Sequence, residues 1–398
     1  MASGAVPAPR TSIPFYRDTR IIAVMIQVAF ALLVLGGLYW LYRNMMDGLA
    51  RANLLPTFNF LNIPAGFPIG ESAIAYDPSM SYGRAFVVGV LNTIRISVLA
   101  IVMTTVLGIV IGIMRLSSNW LLSQVAAVYV EIMRNVPLLL HLLFWYLLTK
   151  EFPAVKQSIQ FGDTLFLHNR GASVAWPIGT ETTTAWLIAV AAVIAVALGY
   201  YGWKRLEFIR RDRPGLAWPA ALGIAVVGIL VTFFGVDLAL GSAPLVLDPP
   251  VLSGFNFKGG LTVTTSFLAL FIGLVVYTSG YVAETVRSGI TSVNKGQREA
   301  AQALGLNQTQ TLQLVIMPQA LRLIIPPMTS TYLSITKNSS LAVAIGYPDL
   351  FYVANTINNQ TGQAVPVILM VMASYLSLSL LTSLFMNWYN KRIQLVER

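Results

Sequence analysis

Arg95 is the side chain best able to grip an anion, because its guanidinium is a planar fork of donors that matches a carboxylate in a bidentate way. It stands near the middle of an apolar run, 85–113, where a charge is costly and rarely faces lipid. Other polar groups are scattered through comparable runs: Asn92, His141, Thr265, Ser330, Thr331 and Lys337. A path for a molecule with both an ammonium and a carboxylate needs partners for each, and these residues could line one. Simpler readings stand beside this one. Arg95 could belong to an internal ion pair or snorkel to a surface. His141 could be a satisfied polar group between helices, and Lys337 could pair with an acid. Glu131 and Arg134 are three apart and share a helical face, so they read as a structural charge pair.

A second group of residues lies together in the chain, from Glu284 to Pro318, and is polar where its surroundings are apolar. It predicts two short helices. The first ends near Leu304, and Gly305 turns the chain because glycine enters the left-handed region cheaply. Asn307 with Gln310 three residues on forms a capping box for the second. Pro318 is expected to end or bend that helix. A helix–Gly–helix elbow held at a membrane surface suits docking into a groove on another protein.

Several chemistries are excluded or unsupported. Cysteine is absent and only two histidines occur, so disulfides, thiolates and a His-rich metal site are ruled out. No G-x-x-x-x-G-K-[ST] pattern appears, so the chain does not hydrolyse ATP itself. No catalytic triad is indicated, and the chain reads as a non-enzyme that binds no cofactor.

The elements that must position these groups are membrane helices. Of 398 residues, 56% are hydrophobic and only 11% charged. A soluble domain carries about 25% charged residues, so water cannot be the main solvent here. Mean hydropathy is +0.69. A span needs about 20 apolar residues. Runs of that kind lie at 21–42, 85–113, 120–149, 183–203, 216–235, 261–284, 320–345 and 365–389, about eight in all. The net charge of +10 is read as topology rather than nucleic-acid binding. Arg10, Arg17, Arg20, Arg115, the cluster Lys204 to Arg213, Arg287, Lys295, Arg298, Arg322, Lys391, Arg392 and Arg398 fall on one side. That bias places both termini in the cytoplasm. Within the runs, Pro137 predicts a bend and Pro326-Pro327 a deformable kink. The loops 43–84, 150–182 and 236–260 lie outside, with Phe58-Asn59-Phe60-Leu61 expected in the interface.

Glu299-Ala300-Ala301, Gly305, Val315 and Pro318 resemble the EAA loop of ABC importer permeases, E-A-A-x3-G-x9-I-x-L-P, with Val315 and Met317 as conservative replacements. The flanks Tyr281-Val282-Ala283-Glu284, Arg287-Ser288-Gly289-Ile290, Lys337-Asn338-Ser339-Ser340-Leu341 and Arg134-Asn135-Val136-Pro137-Leu138-Leu139 resemble the polar amino acid (His/Glu/Gln/Arg) branch. His141 stands where that branch usually has Gln. The length is similar to the enlarged general L-amino acid permease type.

The resemblance implies an all-α bacterial inner-membrane protein with a five-helix type I importer core and three peripheral spans. It divides the chain into 1–84 (first span and outer loop), 85–149 (core helices one and two), 150–260 (inserted loops and two extra spans) and 261–398 (core helices three to five, with the coupling loop at 296–318). It implies Glu299, Ala300, Ala301, Gly305 and Pro318 as contacts to a partner ATPase, which binds ATP and Mg. It further implies a second, non-identical permease, two ATP-binding subunits, a periplasmic amino acid-binding protein and import of polar L-amino acids. An ion-coupled secondary transporter is the alternative.

Overall fold

The computed structural model describes residues 19–51, 56–211 and 217–393. The expected cytoplasmic charges Arg10, Arg17, Arg213 and Arg398 lie outside the described residues, as does the side chain of Arg20. The long helices are α1 (Thr19–Arg51), α2 (Tyr82–Arg115), α5 (Thr183–Arg210), α6 (Trp218–Leu240), α7 (Thr265–Thr291) and α12 (Ala364–Ile393). All six are long and apolar enough to cross a membrane. A seventh span arises if α3 (Trp120–Asn135) and α4 (Leu138–Lys150) count as one.

That pair corrects the single run expected at 120–149. The two helices meet at 105°. Pro137 lacks an N–H and forces the residue before it out of the helical region. Val136 is accordingly extended, at φ −94° and ψ 129°. The span expected at 320–345 falls on α10 (Met317–Asn338), which is not among the helices apolar enough to qualify. Its Pro, Ser and Thr residues lower its hydropathy, yet it packs against α7, α12 and α2. Pro326-Pro327 does not break it; α10 is one helix throughout and then tightens into a 3-10 turn at Ser339–Ile345.

Caps set where the helices start. Ser81 accepts from the backbone N–H of Arg84 at the start of α2. Asn119 accepts from Leu121 and Leu122 at α3, and Thr264 from Phe267 at α7. Each satisfies a donor that the helix itself leaves unpaired.

The centre of the bundle is the seam between α2 and α7. A Cβ added to Gly108 would overlap Val282, and one on Gly112 would lie 2.9 Å from the carbonyl oxygen of Ala283. Small residues four apart let two backbones approach closely, which matters in lipid because helix association there relies on contact rather than on escape from water. On one side of the seam, Leu138, Leu142, Leu270, Leu274, Ile335 and Tyr347 join α4, α7 and α10. At the other end of α7, Val282, Val286 and Ile290 pack on Ile316, Ala320 and Ile324.

The all-α expectation missed the loops. Strands β1 (Ile159–Phe161), β2 (Leu165–His168), β3 (Gly171–Val174) and β8 (Leu261–Thr264) form an antiparallel sheet in the order β1-β2-β3-β8. Two further pairs are β4 (Trp176–Gly179) with β5 (Leu245–Asp248), and β6 (Val251–Ser253) with β7 (Asn256–Lys258). β8 runs directly into α7, so the sheet sits on the start of the central helix. Phe60, expected in the interface, is buried with Phe67, Tyr82 and Leu350 instead. Helices α5 and α6 pack on each other, and no residue in the apolar stretch of α1 is buried.

Replacing Gly108 by Leu must force α2 and α7 apart. Overpacking of this kind costs about 1–3 kcal/mol. Gly108→Leu is expected to lower the thermal unfolding midpoint in detergent, whereas Gly36→Leu on α1, where nothing lies within 4 Å, is expected to leave it unchanged. Equal midpoints for the two variants would contradict the seam.

Candidate functional site

The elbow is built by local rules. Asn294 accepts from the N–H of Gly296 and starts α8 (Lys295–Ala303). At its end Gly305 has φ +77°. Its N–H bonds the Gln302 carbonyl at 2.9 Å, and the N–H of Leu306 bonds that of Ala301 at 3.1 Å. This is the paired Schellman closure, which needs a left-handed residue at the corner. Asn307 and Gln310 then exchange the expected bonds, at 2.8 and 3.0 Å, over the short α9 (Gln308–Gln310).

Beyond that point the structure differs from the expectation. A wide π turn at Thr311–Ile316 carries the chain straight into α10. Pro318 does not stop the chain from continuing as a helix. It sits in the first turn of α10, where a proline needs no amide partner.

The corner folds α8 back on this segment, burying Ala301 and leaving Glu299, Ala300 and Leu304 exposed. Leu304 is 82% exposed, and Glu299 has no salt-bridge partner among the described residues. The outward face of α8 therefore offers a carboxylate and an apolar knob to whatever covers it.

The proposed pathway residues do not form one cluster. Asn92, Arg95 and Thr265 gather at the end of the bundle that carries the sheet. Arg95 pairs with Glu71 at 3.0 Å and lies 4.8 Å from the centre of the Phe267 ring. Glu71 also accepts from the Thr264 hydroxyl at 2.7 Å. The Asn92 amide donates to the backbone oxygens of Glu71 and Pro348, and Thr265 donates to that of Asn169. Burial pushes the Glu71 carboxyl up, and the Thr264 hydroxyl and Arg95 pull it back. Together these bonds pin the loop before α2 onto α2, α7 and the segment before α11 (Leu350–Thr361).

His141 is buried in the core, tilted against the Tyr277 ring at 5.5 Å, and its Nε2 has no partner. Ser330 and Lys337 are exposed on α10, and Thr331 is half-buried beside them. The hydroxyl of Thr331 bonds the Pro327 carbonyl, and Ser334 that of Ser330, so the helix satisfies them itself. Lys337 finds no carboxylate within salt-bridge reach among the described residues.

Glu131 and Arg134 do not form the expected pair. Arg134 lies over the Tyr281 ring instead, at 5.5 Å. The ion pairs at that end belong to Glu284, which binds Arg115 and, at 2.6 Å, Arg287. Sequence reasoning missed Glu71 and placed Glu284 only in a motif. The signal for Glu71 is that it is the only acid between Asp47 and Asp77, in an apolar loop. Among the described residues no group of three His, Asp or Glu could hold a metal ion.

Residues 104–395 match the family described as binding-protein-dependent transport system inner membrane component. The chain is 43% identical over 378 residues to YhdX of Escherichia coli, named as a candidate amino-acid ABC transporter permease, covering 94% of this chain and 95% of that one. It is 41% identical over 383 residues to AapQ of Rhizobium johnstonii, a general L-amino acid transport system permease protein, covering 96% and 94%. It is 37% identical over 415 residues to BztB of Rhodobacter capsulatus, a glutamate/glutamine/aspartate/asparagine transport system permease protein, covering 96% of each.

Removing either partner of the Glu71–Arg95 pair leaves the other charge uncompensated. Glu71→Ala and Arg95→Ala should each destabilise the protein, and the double variant by less than their sum. A coupling of about 0.5–3 kcal/mol is expected from a double-mutant cycle of unfolding in detergent. Strictly additive losses would show that the pair does not hold the loop.

Proposed function

The chain belongs to the family of binding-protein-dependent transport system inner membrane components, and on that premise we propose that it is the permease subunit through which an ABC importer moves polar L-amino acids. Glutamate, glutamine, aspartate and asparagine are the substrates suggested by the relatives' names. A family of this kind works with an ATPase and a substrate-binding protein.

The observation that carries the reading is the capped elbow at residues 294–318. Its corner is fixed by Gly305, its inner face is covered by its own chain, and its outer face, with Glu299, Ala300 and Leu304, has nothing on it. A rigid, half-covered elbow joining two membrane helices can pass a push from a docked ATPase into both. We assign that docking to Glu299, Ala300, Ala301, Gly305 and Pro318, with Ala301 acting through packing and Pro318 by starting α10. ATP and Mg are held by the partner. The elbow side is then cytoplasmic, with both termini, and the sheet side faces the binding protein.

The stripe of exposed Ser330 and Lys337, with half-buried Thr331 beside them, supports a second permease. A bare ammonium on a membrane helix is costly against lipid. An acid on a non-identical partner, or water in a shared pathway, would remove that cost. Asn92, Arg95 and Thr265 serve this reading by closing the sheet end rather than by gripping substrate. His141 borders the path behind Tyr277.

Uptake by the complex in proteoliposomes tests the reading. It should require ATP and the binding protein together. Gly305→Val should leave the chain inserted and assembled but reduce uptake per ATP hydrolysed at least ~10-fold, since a β-branched side chain at positive φ disrupts the corner. Uptake driven by an ion gradient without ATP would overturn the assignment in favour of a secondary transporter.

A further inference from the structure

At the elbow end of the bundle, α2, α3 and α7 line an open pocket of about 420 Å³ bordered by Arg115, Glu131, Arg134, Asn135, Tyr281 and Glu284, with Ala127 and Val130 at its apolar wall. This lies within the range of small-molecule sites, about 300–1,000 Å³. Its charges fall into two sets. Glu284 is saturated: Arg115 binds one carboxylate oxygen, and Arg287 grips both, with bonds at 3.1 and 2.6 Å. Glu131 and Arg134 are not. Each lacks a salt-bridge partner among the described residues, although one turn of α3 separates them. Arg134 is instead held over the ring of Tyr281, whose hydroxyl also donates to the Arg134 carbonyl at 3.4 Å.

We propose that this pocket is a binding site for a free α-amino acid on the elbow side of the membrane, with Arg134 taking the α-carboxylate and Glu131 the α-ammonium. The inference rests on the amino acid import proposed above and names a site for it on this chain. Residues three apart on a helix have neighbouring side chains, so one free cation and one free carboxylate stand side by side. That is the complement of a zwitterion whose two charged groups are attached to the same carbon. Stacking on Tyr281 keeps the guanidinium extended into the pocket, where its fork can hold a carboxylate in a bidentate way. Arg115 and Glu284, the latter also gripped by Arg287, form the far wall. The lining itself has two guanidiniums and two carboxylates, and Arg287, which grips Glu284 from outside the lining, adds one surplus positive charge that favours neutral or acidic side chains and disfavours cationic ones. The Asn135 amide is the neutral polar group placed to meet a side-chain amide or carboxylate, while the Tyr281 hydroxyl, its proton given to the Arg134 carbonyl, can accept from an amide N–H. On the elbow side such a site holds substrate after passage, or reads its concentration in the cell.

The test is equilibrium binding of radiolabelled L-glutamine and L-glutamate to the whole permease–ATPase complex in nanodiscs, without the binding protein, beside ATP-driven uptake by the same preparation. Glu131 and Arg134 are exposed, so Glu131→Gln and Arg134→Gln should fold and assemble. Each is expected to weaken binding ~10- to 100-fold, the worth of one charge-assisted bond. L-arginine should compete poorly. The α-methyl ester of L-glutamine should bind far more weakly than L-glutamine to the wild type but equally to Arg134→Gln. If the wild-type complex takes up amino acids but binds none, or both variants bind with wild-type affinity, this site is wrong and the transport reading stands. If the wild-type complex takes up no amino acid with ATP and binding protein, the transport reading fails and this site with it.

Discussion

The approach of α2 to α7 at Gly108 and Gly112 is the constraint on which the rest of the structure depends. In lipid there is no water to escape from, so helices associate through contact area and small residues that permit it. Side chains at those two positions would hold the backbones apart, and the layers built on α7 would lose their platform. α4 packs on one face of α7 through Leu142, α3 on another through Val130, and α10 on a third through Ile324. The seam thus sets the position of every helix that carries a candidate functional residue.

Both ends of α7 are tied to features outside the apolar bundle. At its start, Thr264 caps the helix, closes the sheet and donates its hydroxyl to the Glu71 carboxylate. At its end, the chain turns within a few residues into α8 and the elbow, while Val286 and Ile290 stay packed on the beginning of α10. A load applied to α8 therefore meets α7 and α10 at once, through packed side chains rather than through a flexible linker. The π turn at Thr311–Ile316 is the irregular joint in this path, and such turns mark places where a helix can be re-registered at low cost.

Charges follow the same division. Glu71 and Arg95 close one end, and Arg115, Glu284 and Arg287 brace the other. Between them the core is apolar apart from groups such as Asn92, Thr93 and Ser97. Charged groups placed at the ends of the bundle, next to loops that can supply a partner, avoid the cost of isolation in hydrocarbon.

What the sequence determined by itself is whatever local stereochemistry controls. Gly305, the Asn307–Gln310 box and the break at Pro137 were legible because each depends on residues within a turn or two. The membrane class followed from composition, and the helices from unbroken apolar runs, since backbone groups in lipid must bond within their own segment. Tertiary structure alone decided the partners. Arg95 faces Glu71 because a loop 24 positions earlier in the chain folds onto the bundle. Glu131 and Arg134 are neighbours that do not pair, because Tyr281, on a helix almost 150 residues away, offers Arg134 its ring. The sheet escaped notice because its strands are only three or four residues long and β3 pairs with β8 across the two inserted helices. Such contacts are fixed by which surfaces meet after the helices pack, and no spacing along the chain encodes them.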